Sequence, residues 1–111
     1  MMSIFTARLE ARDPARDCFR SYRLDAGSDL FGTWLVDATY GRIGTPGRTI
    51  RHTADDESQA RRIVRRCLQR RATAPQRIGI AYRLAAFGAA PGFDAAAWLP
   101  GDVMARFFEV I

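Results

Sequence analysis

Apolar and polar residues alternate through most of the first half of the chain, and the period lengthens to a helical one only once. Residues 4–9 read as a short first strand. Residues 18–26 resume the alternation, with Cys18, Tyr22 and Leu24 on one face and Phe19, Ser21 and Arg23 on the other. Arg20 falls among the first set, which predicts a twisted or bulged strand. Residues 31–38 predict the most apolar strand of the body. Trp34, Val36, Ala38 and Tyr40 point one way, and Leu35, Asp37 and Thr39 the other. This alternation puts Tyr40 on the core side unless Gly41 lets the chain bulge and re-aims the ring. Residues 48–53 form a fourth strand, whose faces carry Ile50 and His52, or Thr49 and Arg51. A charged loop around Pro14 and the turn signal Gly27-Ser28-Asp29 separate these segments.

Residues 56–71 predict a helix. Ala60, Ile63, Val64, Cys67 and Leu68 recur at helical spacing, the stripe of a helix laid on a sheet. Asp56 caps its first turn with Gln59 three residues on, and Arg70 and Arg71 suit the negative end. Arg61, Arg62, Arg65, Arg66, Arg70 and Arg71 crowd its outer face, with like-charge pairs four residues apart. Each such pair costs about 0.2–0.5 kcal/mol unless screened, so the face is either simply solvated or turned to a polyanion.

Residues 72–76 end the helix, and 78–84 suit a closing strand anchored by Tyr82. Residues 85–92, rich in alanine and glycine, read as a flexible connector. Two short helical pieces are expected at 94–98 and 102–110. Val103, Met104, Phe107, Phe108 and Ile111 give the second an apolar side too short to stand alone, so it must pack on the body or on another chain. The expected fold is α+β: a twisted antiparallel sheet of four to five strands, one main amphipathic helix packed on it, and a short C-terminal helical extension.

Between the third and fourth strands lies Tyr40-Gly41-Arg42-Ile43-Gly44-Thr45-Pro46-Gly47. Its glycines let the backbone turn sharply and lie close to a ligand, and Thr45-Pro46-Gly47-Arg48 reads as a type II turn. From turn chemistry alone this is a hairpin that carries an aromatic and an arginine at its lip.

Charge adds a direction. All 17 basic side chains are arginine, and the net charge is +5. Residues 1–84 carry 16 arginines against nine acids, and residues 85–111 one against three. A basic body with a mildly acidic tail favours a polyanionic partner, although excess charge also serves solubility. Guanidinium forks grip phosphate and carboxylate bidentately and stack on flat rings. Cys18 and Cys67 lack metal spacing and read as small buried residues, and nothing calls for a disulfide. His52, the single histidine, has no Cys, Asp or second His at ligand spacing and reads as structural or surface. The start of the chain lacks the apolar run of a signal peptide, and no stretch approaches a membrane span. No membrane association is expected, and a reducing cytoplasm is the default location.

These pieces, in this order, resemble a WGR domain, a module found in poly(ADP-ribose) polymerases and in many small bacterial proteins. The resemblance is carried by Asp13-Pro14-Ala15-Arg16, Arg20 with Tyr22 and Leu24, Asp29-Leu30-Phe31-Gly32, Trp34, the glycine turn, Ala60 and Tyr82. It divides the chain into a WGR-like domain at 1–84 and an extension at 85–111. Two positions depart from the pattern: the signature tryptophan is Tyr40, and the closing Gly-Tyr pair is Ala81-Tyr82. In the polymerases the module binds DNA near a strand break, the aromatic packing at a terminal nucleotide and the arginine contacting backbone. The resemblance therefore implies nucleic-acid binding by Tyr40, Gly41 and Arg42, with Arg48 and Arg51 as helpers across the hairpin. Its alternative is a protein-interaction module, in which the tail mediates dimerisation or partner binding. No enzyme and no cofactor is expected. The sequence offers no supported Ser/Cys–His pairing, carboxylate pair or phosphate loop, and no room for a separate transferase domain.

Overall fold

A computed structural model describes residues 1–108 of the chain. Its framework is a five-stranded antiparallel sheet in the order β4-β3-β2-β1-β5. The strands are β1 (Met2–Asp13), β2 (Cys18–Ser28), β3 (Trp34–Arg42), β4 (Arg48–Ala54) and β5 (Arg83–Ala89). Period-two alternation makes one face apolar. Phe5, Ala7, Leu9 and Ala11 of β1, Tyr22, Leu24 and Ala26 of β2, and Val36 and Ala38 of β3 are all buried on it. The other face carries a polar ladder that includes Arg8, Arg23, Asp37 and Arg51, and of its apolar side chains Leu35, at one end of β3, is buried.

Helix α1 (Glu57–Ala72) covers the apolar face through Ala60, Ile63, Val64 and Leu68, the stripe expected from the sequence. The Asp56 carboxylate accepts from the Gln59 N–H at 2.7 Å. The reciprocal bond runs from the Asp55 N–H to the Gln59 side chain at 2.6 Å, one residue earlier than a regular capping box.

The fold class agrees with the sequence, and several local expectations do not. Neither Arg20 nor Gly41 sits in a bulge, because β2 and β3 pair without a register shift from Arg20↔Arg42 to Ser28↔Trp34. The third strand starts at Trp34; Leu30 and Phe31 stand in the β2–β3 turn, 90% and 93% exposed. The Asp29 carboxylate accepts from the N–H groups of Phe31 and Thr33, and Gly32 takes φ +79°. That closed loop consumes the residues whose apolar character resembled a strand.

The C-terminal third differs most. Residues 78–84 do not form the closing strand, and 85–92 are not a loose connector. Pro75 starts a short helix α2 (Ala74–Ile78), which ends at Gly79 with φ +75°. The fifth strand is β5, pairing with β1 from Phe5↔Ala89 to Glu10↔Arg83, with a register shift between Arg8 and Leu9. Beyond it, α3 (Ala95–Trp98), α4 (Gly101–Met104) and a 3-10 turn (Ala105–Phe108) fold back onto the helix side. Trp98, Val103 and Phe107 are buried in the same core as the sheet. Phe5, Phe93 and Trp98 pack ring to ring, and Trp34 meets Trp98 at 5.5 Å between centroids. The expected helix at 102–110 is thus two shorter pieces; its residues 109 and 110, and the Ile111 counted with its apolar side, lie outside the described residues.

Candidate functional site

The β3–β4 turn is compact because two of its glycines touch. A Cβ on Gly41 would come 2.8 Å from the Gly47 Cα, and one on Gly47 would come 2.7 Å from the Tyr40 carbonyl oxygen. Gly47, at φ +71° behind Pro46, has the conformation expected for the third position of a type II turn. A hydrogen bond from the Thr45 N–H to the Arg42 carbonyl, 3.1 Å, closes a turn three residues earlier, around Gly44 at φ +87°. The Ile43 N–H donates to the Phe19 carbonyl at 3.0 Å, extending the β2–β3 ladder one residue past Arg42.

Cross-strand register decides what the turn presents. Tyr40 lies opposite Tyr22 on β2 and Arg48 on β4, so all three point to the helix side of the sheet. Tyr22 is buried; Tyr40, one strand further out, is half-buried against the rim of the core. Its ring is neither sealed inside nor free in solvent. One register step outward, Arg42 lies opposite Arg20, and both are exposed.

Tyr40, Gly41, Arg42, Phe19, Arg20 and Arg16 line an open groove of about 460 Å³ at this end of the sheet. Arg42 leans across it, its guanidinium 5.2 Å from the Phe19 ring centre and 3.1 Å from an Asp17 carboxylate oxygen. Asp17 is the one non-glycine residue at positive φ among those described, +49°, and its side chain is 81% exposed. Arg16 is held by Asp13 at 2.7 Å and by the Ile78 carbonyl at 3.1 Å. That hydrogen bond holds the Asp13 carboxyl below its ordinary range. Neither Arg20 nor Arg48 pairs with a carboxylate among the described residues. The sequence reading missed Arg20, although its signal was present: it shares a face with Tyr22, two residues on.

Of the five residues singled out from the sequence, Tyr40, Gly41 and Arg42 line this groove, and Arg48 stands opposite Tyr40 on β4, outside its lining. Arg51 does not join them. It lies opposite Asp37 on the open face and binds it bidentately, with both N–O distances 2.8 Å. The Arg51 hydrogen bond is the main cause that lowers the Asp37 pKa, and Asp37 in turn raises that of Arg51.

The arginines of α1 also divide. Arg62, Arg65, Arg66 and Arg70 are exposed, with Arg65 3.8 Å from Asp102. Arg61 reaches Glu57 at 3.2 Å and lies 5.5 Å from the Trp98 ring centre. Arg71 is half-buried rather than solvated, its guanidinium 4.1 Å from the Tyr22 ring centre and 5.8 Å from that of Tyr82. Burial, followed by the neighbouring Cys67, pushes the Tyr22 phenol well above its ordinary value. Arg71 therefore fastens the end of α1 over the row that leads from Tyr22 to Tyr40.

Among the described residues no group of three or more His, Cys, Asp and Glu side chains is placed to hold a metal ion, and no helix is long and apolar enough to cross a membrane. No curated protein matches the chain, and no solved structure does. The family model of the WGR domain matches residues 5–73, from the start of β1 to the end of α1. WGR is a binding module associated with nucleic acids, not catalytic by itself. With the family model matched over more than half its length, the chain belongs to the WGR domain family.

Proposed function

We propose that the chain binds DNA through its backbone and ends, in the groove beside the glycine turn. Tyr40 offers a flat face for a sugar or base, Arg42 and Arg20 clamp phosphate, and Arg48 adds charge on the neighbouring strand. The exposed arginines of α1 supply a wider basic surface on the same side of the sheet. Arg51 serves the ion pairs of the opposite face and stays outside the contact.

The observation that carries this reading is the cross-strand pair of Arg20 and Arg42 beside a half-exposed aromatic ring. Like charges directly opposite each other in a sheet are unfavourable, and a phosphate placed between them reverses the sign of that interaction. The Asp17 carboxylate relieves it only in part, because a pair this exposed contributes about 0–1 kcal/mol.

The test is binding to short duplexes with blunt, nicked and recessed ends over a range of salt. Affinity should fall steeply with salt for the native chain, and Arg42→Ala should reduce the slope of log affinity against log salt by about 0.9. No binding at low salt, or an unchanged slope in the variant, refutes the assignment.

A further inference from the structure

The two edges of the sheet are built differently. On β4 the exposed run contains Arg48 and Arg51, so pairing two copies about Ile50 would crowd four guanidiniums together. Charged side chains of this kind are how natural sheets keep their edges apart. On β5 the reverse holds. Residues 84–93 contain no charged side chain, and Ala85 to Ala89 are exposed.

The backbone of β5 is also available. The Ala90 N–H donates to the Ile4 carbonyl at 2.9 Å, which fixes the alternation along the strand. Residues 90, 88 and 86 direct their backbone groups to β1, and Ala89 and Phe87 direct theirs outward. Phe87 is 44% exposed on the helix side, its inner edge resting on Phe5 and Phe93 with ring centres 6.2 and 6.1 Å away. An unpaired ladder therefore carries a half-exposed phenylalanine at its centre.

The geometry points to a second copy of this chain as the occupant, its β5 pairing antiparallel with this one about a two-fold axis at Phe87. The backbone N–H and C=O of Phe87 then bond their own counterparts, and Ala89 of each copy faces Ala85 of the other. Charge favours a second copy over a charged partner. The two Arg83 side chains, opposite residue 91 in this register, stay about 27 Å apart, several times the ~8 Å over which salt screens them. Between residues 84 and 93 the joined strands carry no charge, and the nearest arginine on the adjacent strand, Arg8 opposite Ala86, lies one strand back from the seam in each copy. The register shift between Arg8 and Leu9 limits the flat stretch to a few residues. The interface is small, so association is expected at about tens of micromolar rather than nanomolar.

The test is the mass of the full chain in solution without nucleic acid, followed by sedimentation across that concentration range. The native chain should approach two chains per particle. Phe87→Lys places two like charges at the axis, and Ala89→Pro removes an outward N–H without touching the β1 ladder. Each should weaken the dimer at least about 10-fold, with circular dichroism confirming the native fold. A native chain that stays single at about ten times the concentration expected from its interface size, or folded variants that dimerise as well as it does, overturns the proposal. DNA binding is read separately, so either result leaves that reading standing or falling on its own test.

Discussion

Arg42 rests between Phe19 and Asp17, 5.2 Å from the ring centre of one and 3.1 Å from a carboxylate oxygen of the other. The aromatic contact orients the guanidinium over the groove, and the carboxylate competes for the hydrogen bonds a phosphate would take. Asp17→Asn keeps the side-chain shape and removes the competing charge. DNA affinity measured at fixed salt should rise up to about five-fold, the equivalent of a surface ion pair of up to 1 kcal/mol. A fall in affinity would mean that Asp17 helps to hold Arg42 in its binding position.

Arg51 and Asp37 form a bidentate pair on the other face, and the depressed Asp37 pKa ties that pair to acid stability. A carboxyl whose pKa is lower in the folded state than in the unfolded one contributes stability above about pH 4, and loses it as pH falls through the folded value. Arg51→Ala should lower the urea midpoint at pH 7, and the difference from the native chain should shrink towards zero near pH 2. The salt slope of DNA binding should stay that of the native chain, because this side chain points away from the groove.

At alkaline pH the sign reverses. Burial raises the Tyr22 pKa in the folded state, so its contribution is complete below about pH 10 and is lost as pH rises from there towards the folded value. Urea midpoints should therefore decline above pH 10 in the native chain. Tyr22→Phe should flatten that decline, and the phenolate absorbance of Tyr22 should appear only as the protein unfolds.

Much of this was legible because the period of the sequence matched its burial. Ile63, Val64 and Leu68 marked the buried side of α1, and Trp34 to Tyr40 alternated as they do in β3. Tyr40 itself followed the pattern, since no bulge turns it away from Tyr22. The expectation failed where local composition is uninformative. Ala85 to Ala89 have neither pattern nor strong propensity, and only pairing with β1 makes them a strand. Leu30 and Phe31 are apolar but belong to a turn closed by Asp29. At the site, sequence distance placed Arg51 near Tyr40, whereas register puts Arg48 on the ring's face and Arg51 on the other. Register is a relation between strands, and no single strand carries it.

Glycines 44 and 47 offer a comparison that separates backbone strain from crowding. Both have positive φ, but a Cβ on Gly44 meets nothing within 4 Å, whereas one on Gly47 lies 2.7 Å from the Tyr40 oxygen. Gly44→Ala should cost about 1–2 kcal/mol from the left-handed backbone alone and leave DNA affinity near that of the native chain. Gly47→Ala carries the same strain and must also push the Tyr40 backbone aside, because the opposing atom is main chain and has no rotamer to yield. Its urea midpoint should fall further, and its affinity should fall with it, since the displaced residue is the ring that faces the groove. Equal losses of affinity in the two variants would show that the turn acts only through its stability, and not by setting the position of Tyr40.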